Sequence, residues 1–352
     1  MTATVDPPLD FTLPVANEAH EPPEAQGRRR DEVRLLVSPG AGEPIDSTFQ
    51  QLGRFLHAGD VIVVNRSATI PAALDGRLPD GEPVVVHLSG TLPGEVGLVE
   101  VRQPDAGSTV PLRLDHAVPI ELLGGGRVEL LTRFSHSERL WLASVVVNAP
   151  LLAYAAAHGR PIRYRHVPRD WPLGCYQTVF AREPGSAEMP SASRPFSPEL
   201  VTELVAGGVL IVPLVLHTGV SSLEGGERPY PERYQVGGPT ATAINATRHD
   251  GGRVVAAGTT VVRALATVTD DRGVVHPGRG WTDVVVTPDR PVRAVDGLLT
   301  GWHEPESSHL LMLQAFADPV VLGRAYHAAL ERGYRWHEFG DSHLILRDRA
   351  RP

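Results

Sequence analysis

The chain has 352 residues, which is enough for about two domains with hydrophobic cores. Hydrophobic residues make up 42% and charged residues 21%, so the composition is that of a globular protein rather than a disordered one. The net charge of −8 argues against a general nucleic-acid binder, and the single cysteine, Cys175, excludes an internal disulfide and any multi-cysteine metal site.

No apolar run reaches the roughly 18 residues that a membrane span needs. The start, "MTATVDPPLDFTLP", lacks the basic end and apolar centre of a signal peptide. These features predict a cytoplasmic protein without a membrane partner, and a monomer is the favoured oligomeric state.

The first predicted strands are Leu35–Val37 and the stretch "GDVIVVNRS" (59–67), whose polar exit is Asn65. From 70 to 148 the character changes, because short β-rich pieces alternate with Gly, Pro and Asp turns and no helical pattern exceeds two turns. We therefore predict an inserted all-β domain over 70–148.

Helices and strands alternate after residue 149, which predicts an α/β main domain made of 1–69 and 149–352. In "FSPELVTELVAGG", Ser197 caps a helix that Pro198 opens. The stretches "VLIVPLVLH", "GGRVVAA" and "TDVVVTP" predict further strands, and "SSHLLMLQAFA" and "PVVLGRAYHAALERGY" predict two terminal helices.

The stretch "AAGTTVVRAL" (256–265) predicts a strand, a tight turn at Gly258 and a helix that Thr259 or Thr260 caps. Free N–H groups at the start of this helix, with Arg263 nearby, would hold a carboxylate or phosphate. The alternative is an ordinary strand–helix junction with a surface arginine.

Common catalytic and metal motifs are missing from the sequence. "WHEPESSH" and "WHEFGDSH" contain His-Glu, but Pro305 and Gly340 prevent a helical H-E-x-x-H zinc motif, so we predict no metal site. No G-x-S-x-G, G-x-G-x-x-G or G-x-x-x-x-G-K pattern occurs at a strand–helix junction.

Polar residues at predicted strand ends and turns remain as candidates, because α/β folds bind ligands at the carboxyl ends of strands. His217 ends a strand and fits a general acid or base, although a hydrogen-bonded structural histidine fits equally well. The full set is Asn65, Tyr176, Gln177, Thr178, His217, Glu232, Thr259, Thr260, Arg263, Asp296, His303 and Asp341.

The order of these pieces resembles the S-adenosylmethionine:tRNA ribosyltransferase-isomerases of the queuosine pathway. The resemblance runs over nearly the whole chain and rests on "YQTVFAREPGS", "LVLHTG", "AINATRHDGGRVVAAGTTVVRAL", "VDGLLTGWHEPESS" and "YRWHEFGDSHLIL". It implies a barrel-like α/β main domain with a small inserted all-β domain, and an enzyme without a bound prosthetic group.

The resemblance also implies the reaction. S-adenosylmethionine would be the co-substrate, and its ribosyl group would be transferred and isomerised onto a 7-aminomethyl-7-deazaguanine at the tRNA wobble position, with release of adenine and methionine. This implies catalytic roles for His217, Glu232 and Arg263. It implies substrate binding by the other candidates and by Phe196.

Several family motifs are altered here. Pro195 and Tyr230 stand where the family has histidines, and Ala68 and Ala73 stand where it has arginines. These changes leave two alternatives open: an S-adenosylmethionine-cleaving enzyme with a small-molecule acceptor, such as a free 7-deazaguanine, or a non-catalytic S-adenosylmethionine-binding protein. They also predict weaker tRNA binding than is usual in the family.

Overall fold

The structure is a computed structural model that describes residues 11–347, apart from 93, 95, 106–107, 135–136, 221–228 and 306. Its strands are β1 (Arg34–Pro39), β2 (Ile45–Thr48), β3 (Val61–Asn65), β4 (Ser67–Thr69), β5 (Ala73–Arg77), β6 (Pro83–Leu92), β7 (Val96–Asp105), β8 (Ser108–Pro111), β9 (Pro119–Leu122), β10 (Gly126–Arg133), β11 (Leu140–Val147), β12 (Glu183–Ser186), β13 (Leu210–Leu216), β14 (Glu232–Val236), β15 (Val254–Ala257), β16 (Gly278–Thr282), β17 (Gly297–Gly301) and β18 (Ser342–Leu346). Its α-helices are α1 (Leu151–His158), α2 (Pro198–Ala206), α3 (Gly238–His249), α4 (Thr259–Val268), α5 (Ser308–Gln314) and α6 (Pro319–Glu331).

The larger sheet has nine strands in the order β16-β14-β13-β3-β15-β17-β18-β1-β2. Its centre is parallel, because β13, β15 and β3 run the same way and β17 follows β15. Antiparallel pairings of β14 with β13 and of β18 with β17 extend it on both sides. The carboxyl ends of four central strands therefore lie along one edge.

The central strands are apolar on both faces, as expected for a parallel sheet covered on both sides. Val61 and Val63 pack into a core shared with α3, α4, α5 and α6. Ile62 and Val64 face the opposite core, which contains α2 and the 3₁₀-helix Phe49–Phe55. This alternation along β3 follows from the two-residue period of a strand.

The smaller sheet is the inserted part of the chain. Strands β5, β6, β7, β9, β10 and β11 close into a six-stranded barrel through the pairing of β11 with β7, and β8 pairs with β7 outside the closure. The barrel core also receives Tyr154 and Ala155 of α1, together with Ala187 and Val220 from the main part. The exact domain boundaries therefore stay a prediction.

The predicted mixed α/β fold with a β-rich insertion between 70 and 148 is present. The closed barrel lies in the insertion, whereas pairing in the nine-stranded sheet ends at β16 and β2. In the described part of the chain, no helix is long and apolar enough to cross a membrane.

One predicted strand is wrong. In "TDVVVTP", only Thr282 belongs to a strand, β16, and Val284–Val286 follow in an irregular conformation. Val284 and Val286 are nevertheless buried, so the apolar residues fill the core without extending the sheet. The main-chain carbonyl of Val284 accepts a hydrogen bond from Arg263 instead of pairing with another strand.

Candidate active site

The candidate site lies at the carboxyl edge of the nine-stranded sheet. His217 directly follows β13, Asn65 ends β3, and Thr259 begins α4 two residues after β15. Because these strands are parallel neighbours, the three residues meet at one edge.

Asn65 joins these strand ends. Its Oδ1 accepts hydrogen bonds from the amides of Ser67 (3.0 Å) and Leu216 (3.1 Å). Its Nδ2 donates to the Leu216 carbonyl (2.7 Å) and, at 3.5 Å, to the hydroxyl of Thr260. Asn65 is fully buried, so its role in this structure is to position β13 and α4.

Helix α4 begins at this edge without a side-chain cap. Gly258 adopts φ +107°, a value that favours glycine, and its carbonyl accepts the amides of Val261 and Val262. The first N–H groups of a helix, here those of Thr259 and Thr260, have no intrahelical acceptor and carry the positive end of the helix dipole. The start of α4 is thus suited to an anionic group.

His217 is connected to a chain of hydroxyl groups. Its Nδ1 lies 2.8 Å from Ser67 Oγ, which lies 2.6 Å from Ser186 Oγ. Ser186 Oγ also accepts the amide of Thr218 at 3.0 Å. Burial lowers the pKa of His217; the Glu183 charge raises it and that of Arg233 lowers it further, so the imidazole is neutral at neutral pH.

Gly185 allows this arrangement. It lies in β12, which pairs with β4 and so brings Ser186 beside Ser67. A Cβ at Gly185 would lie 2.5 Å from Nδ1 of His217, closer than real Cβ contacts. The backbone therefore packs directly against the imidazole and fixes the ring.

Glu232 and Arg263 form a buried ion pair at the bottom of the site. Arg263 Nη1 donates to Glu232 Oε2, and the other Glu232 oxygen accepts the Gly219 amide at 2.9 Å. Burial raises the pKa of the Glu232 carboxyl, and Arg263 and the Gly219 amide offset part of that rise.

Arg263 makes three further hydrogen bonds, all to main-chain carbonyls. Nε donates to Val284 (3.2 Å), and Nη2 donates to Tyr230 (2.9 Å) and Thr282 (3.2 Å). The predicted Arg263 therefore lies in the site, but its guanidinium is committed to the protein.

One cavity lies at these residues, and a second cavity lies beside it and shares two of its lining residues. The α4 pocket, of about 100 Å³, is lined by His217, Thr218, Gly219, Glu232, Thr259, Thr260 and Arg263 with Ser89–Thr91 of the barrel. The groove, of about 680 Å³, lies between the barrel and the main sheet. Val220 and His309 line both cavities and mark their junction.

His303 and His309 stack at this junction, with ring centroids 4.6 Å apart. His303 Nε2 lies 2.8 Å from the hydroxyl of Thr300. Burial lowers the pKa of both rings, and the nearby charge of Arg263 adds to the effect at His309, whose pKa falls to about 4. Both imidazoles are therefore neutral hydrogen-bonding groups at neutral pH.

Four predicted substrate-binding residues make contacts within the fold and lie outside the two cavities. Tyr176 and Phe196 are buried in cores, and Phe196 packs edge-on against two phenylalanines. The side-chain amide of Gln177 bonds both the amide and the carbonyl of Thr69, and Thr178 accepts the amide of Phe180. None of the four lines the α4 pocket or the groove within the described residues.

Two predicted aspartates are also used by the fold. Asp296 precedes β17 and accepts the amide of Val254, which places it at the amino ends of the strands, opposite the candidate site. The Asp341 carboxylate accepts the amides of Arg34 and Arg335, both at 2.7 Å. The sequence predicted that these residues lie at turns. It did not show at which edge of the sheet they lie, or that their carboxylate oxygens accept hydrogen bonds from backbone amides.

Comparisons with known proteins agree with this fold. Residues 8–345 match a family model described as "Queuosine biosynthesis protein". The chain belongs to this family. It is 37% identical over 360 residues to the S-adenosylmethionine:tRNA ribosyltransferase-isomerase of Moorella thermoacetica and 34% identical over 354 residues to that of Heliobacterium modesticaldum; each match covers 96% of this chain and 98% of the relative.

A solved structure is similar as well. The crystal structure of S-adenosylmethionine tRNA ribosyltransferase from Thermotoga maritima matches with a TM-score of 0.53 and 25% identity, over 96% of this chain and all of that one. The predicted membership of the queuosine biosynthesis family and the predicted fold class are confirmed. At the level of the family, so is the predicted enzyme class, a transferase-isomerase with S-adenosylmethionine as co-substrate.

Three of the four altered motif positions are placed in the fold as follows. Ala68 and Ala73 are buried, so these positions do not contribute to an exposed phosphate-binding surface in this chain. The Tyr230 hydroxyl lies 2.7 Å from Ser137 Oγ in the barrel, and its carbonyl accepts a hydrogen bond from Arg263. Tyr230 therefore links the barrel to the ion pair at the site.

Sequence reasoning missed several residues of the candidate site. Ser186 ends the family segment "YQTVFAREPGS" and Ser67 follows the predicted strand that ends at Asn65, but their contact depends on the pairing of β4 with β12, which the sequence does not show. His309 was visible as the second histidine of "WHEPESSH", but its spacing was read only against a zinc motif. Among the described residues, no group of three or more side chains is arranged to hold a metal ion.

Proposed function

We propose that this protein is an S-adenosylmethionine:tRNA ribosyltransferase-isomerase whose donor binds in the α4 pocket. One observation carries the proposal: the carboxyl ends of β13 and β15 bring a neutral histidine, His217, and an uncapped helix start into one pocket beside the buried carboxylate Glu232. Those are a proton-transfer group, an anion anchor and a base, the three functions that this reaction needs.

The start of α4 anchors the methionine carboxylate of the donor. The amides of Thr259 and Thr260, with the hydroxyls of their side chains, supply hydrogen bonds, and the helix dipole favours the negative charge. The enclosed pocket is smaller than the roughly 300–1,000 Å³ of ordinary ligand sites, so the rest of the donor extends past His309 into the groove.

The hydroxyl chain sets the tautomer of His217. Ser186 accepts the Thr218 amide, and its nearest acceptor is Ser67 Oγ at 2.6 Å, against 3.5 Å for the Thr218 hydroxyl. We propose that the Ser186 hydroxyl donates to Ser67 and that the Ser67 hydroxyl donates to Nδ1 of His217, which leaves the imidazole proton on Nε2. His217 thus offers an N–H donor to the departing adenine or to the ribose.

Glu232 is the base that removes the activated proton beside the sulfonium. Burial raises the pKa of its carboxyl, and a raised pKa makes the carboxylate a stronger base. The Arg263 guanidinium and the Gly219 amide hold the carboxylate in one orientation. The cationic sulfonium of the donor complements the negative charge of Glu232.

The acceptor is tRNA, which the relatives' names contain, and within it the 7-aminomethyl-7-deazaguanine that the sequence resemblance implies; the site of action is the cytoplasm. A free 7-deazaguanine is the second candidate. Ion pairing of surface arginines favours this candidate, because a paired arginine is less available to bind the phosphates of a tRNA backbone. The pairs are Arg30 with Glu24, Arg34 with Asp46, and Arg160 with Asp75.

The test is release of adenine and methionine from S-adenosylmethionine with three acceptors: whole tRNA, an anticodon stem-loop and the free base. We expect turnover with tRNA and a loss of about 10²–10⁴-fold in His217→Ala with little change in donor affinity. Arg54→Ala, outside both cavities, is the matched surface control.

Donor binding without release for any acceptor would contradict the proposal and leave a non-catalytic binding protein. Release with the free base alone would replace tRNA by a small-molecule acceptor. Near-normal turnover in His217→Ala would exclude His217 and leave Glu232 and His303 as candidates.

A further inference from the structure

The wall of the groove beyond His303 contains a pair of stacked histidines. The rings of His166 and His337 have centroids 3.8 Å apart and planes inclined by 16°. His166 Nε2 lies 2.9 Å from Glu338 Oε2, and all three residues line the groove. The proposed reaction chemistry uses none of them.

His337 is held in an unusual conformation. Its φ of +74° is the only positive value at a non-glycine position among the described residues. Its side chain is 7% exposed, and Nε2 is buried without a hydrogen-bond partner. A buried, strained residue with an unused polar atom is typical of functional sites, where the surrounding structure maintains the strain.

Carboxylates surround this stack. Glu18 and Glu304 lie 3.8 Å and 3.6 Å from the nitrogens of His337, and the side chain of Glu304 is 62% exposed. Burial opposes protonation of His166, but the hydrogen bond and charge of Glu338 outweigh it and raise the pKa of His166. The charges of Glu18 and Glu304 raise the pKa of His166 further, so three carboxylates favour its protonated form.

Two arginines that line the groove are paired with other carboxylates and do not neutralise the negative charge around the stacked histidines. Arg102 is paired with Glu100 at 2.8 Å, and Arg163 lies 3.3 Å from Asp170. The histidine stack thus combines flat aromatic rings with surrounding carboxylates. Arg165 is an exposed cation in the same groove.

We propose that the stack of His166 and His337, with Glu304 and Glu338, is the binding site for a planar heterocycle that carries a primary ammonium group. The inference rests on the function proposed above, and the heterocycle is its acceptor base. The carboxylates bind the ammonium group, the imidazoles contact the ring, and the junction at His303 and His309 brings the base next to the donor in the α4 pocket.

Two properties support this occupant. A groove of about 680 Å³ lies in the range of small-molecule sites, roughly 300–1,000 Å³, and exceeds a single base, so a nucleotide turned out of an anticodon loop fits. Carboxylates are also the groups that bind an ammonium through charge-assisted hydrogen bonds. A neutral heterocycle of the same shape lacks that contact.

The test compares two anticodon stem-loops that differ in one group. One carries 7-aminomethyl-7-deazaguanine at the wobble position and the other its neutral 7-hydroxymethyl counterpart. Binding to the full chain is measured by fluorescence anisotropy without S-adenosylmethionine, so the readout needs no turnover. We expect the wild type to prefer the ammonium form about tenfold to a hundredfold.

In Glu304→Gln and Glu338→Gln this preference should fall towards one, while Glu331→Gln, an exposed control on α6, should keep it. Glu304 is mostly exposed, so its substitution leaves the fold intact. An unchanged preference in both groove variants, or no preference in the wild type, would overturn the assignment. If the preference behaves as expected but no adenine is ever released, the groove assignment stands and the proposed reaction fails.

Discussion

At the scale of single residues, the site depends on hydroxyl groups that have no catalytic signature. Ser67 contacts both His217 and Ser186, and it is 1% exposed. In the proposed mechanism Ser67 affects the reaction indirectly, through the orientation and tautomer of the imidazole. Ser67 is therefore a positioning residue.

Ser67→Ala should lower kcat by about two- to tenfold, since one neutral hydrogen bond contributes about 0.5–1.5 kcal/mol. S-adenosylmethionine affinity should stay unchanged, and Ser67→Thr, which keeps the hydroxyl, should restore kcat. Nitrogen-15 NMR of the imidazole should report the Nε2–H tautomer in the wild type and a mixture in Ser67→Ala. The same tautomer in both proteins would show that Ser67 does not set it.

At the scale of elements, Arg263 joins α4 to the irregular segment after β16 and to β14. The sequence predicted that Arg263 helps to hold an anionic ligand or lies on the surface, because only its position in a helix could be inferred. The structure shows four hydrogen-bond acceptors around it, three of which are carbonyls from Tyr230, Thr282 and Val284. The contacts with Thr282 and Val284 exist because the chain leaves β16 at Thr282. A strand over "TDVVVTP" would have paired these carbonyls with another strand.

Arg263→Ala should therefore lower the free energy of unfolding by about 3–5 kcal/mol, because it leaves the Glu232 carboxylate buried without its partner. Chemical denaturation would measure this, with Arg279→Ala, an exposed arginine of β16, as the matched control. Unchanged stability together with loss of S-adenosylmethionine binding would return Arg263 to the role of a direct ligand anchor.

At the scale of the whole molecule, the sequence predicted the architecture better than the site. Alternation of strands and helices, the β-rich block at 70–148 and the family motifs were sufficient for the fold. The site needed the order of strands in the sheet, which decides that His217 and Thr259 meet while Asp296 lies at the opposite edge. Strand order is set by long-range packing, and periodicity along a single strand does not contain it.

The main sheet also holds a buried histidine that should make the fold sensitive to acid. His343 of β18 is fully buried, hydrogen-bonds Ser38 at 2.8 Å and stacks on Trp302 at 4.7 Å. Burial lowers its pKa to about 3. Because the folded pKa lies below the unfolded value of about 6.5, its contribution to stability is complete above pH 6.5 and is lost as the pH falls towards 3.

Between pH 6 and 4, the free energy of unfolding of the wild type should fall more steeply than that of His343→Phe, by up to about 1.4 kcal/mol per pH unit. Phenylalanine keeps the stacking on Trp302 and cannot titrate, so any loss of the Ser38 contact shifts stability equally at every pH. Denaturation at several pH values measures the slopes, with the exposed His327→Gln as control. Equal slopes for wild type and His343→Phe would exclude His343 as the acid-sensitive group.

The negative charge of the whole chain bears on how tightly tRNA binds. The net charge is −8, and the arginines near the groove are largely paired, which leaves Arg165 as an exposed cation that lines it. Each lost phosphate contact reduces the slope of log affinity against log salt by about 0.7–0.9. Arg165→Ala should therefore flatten the salt dependence of tRNA binding by this amount and leave S-adenosylmethionine affinity unchanged, while Arg54→Ala should do neither. If Arg165→Ala leaves the slope unchanged, the tRNA backbone does not contact the groove at Arg165. That result would contradict the proposal that the wobble base binds at the histidine stack.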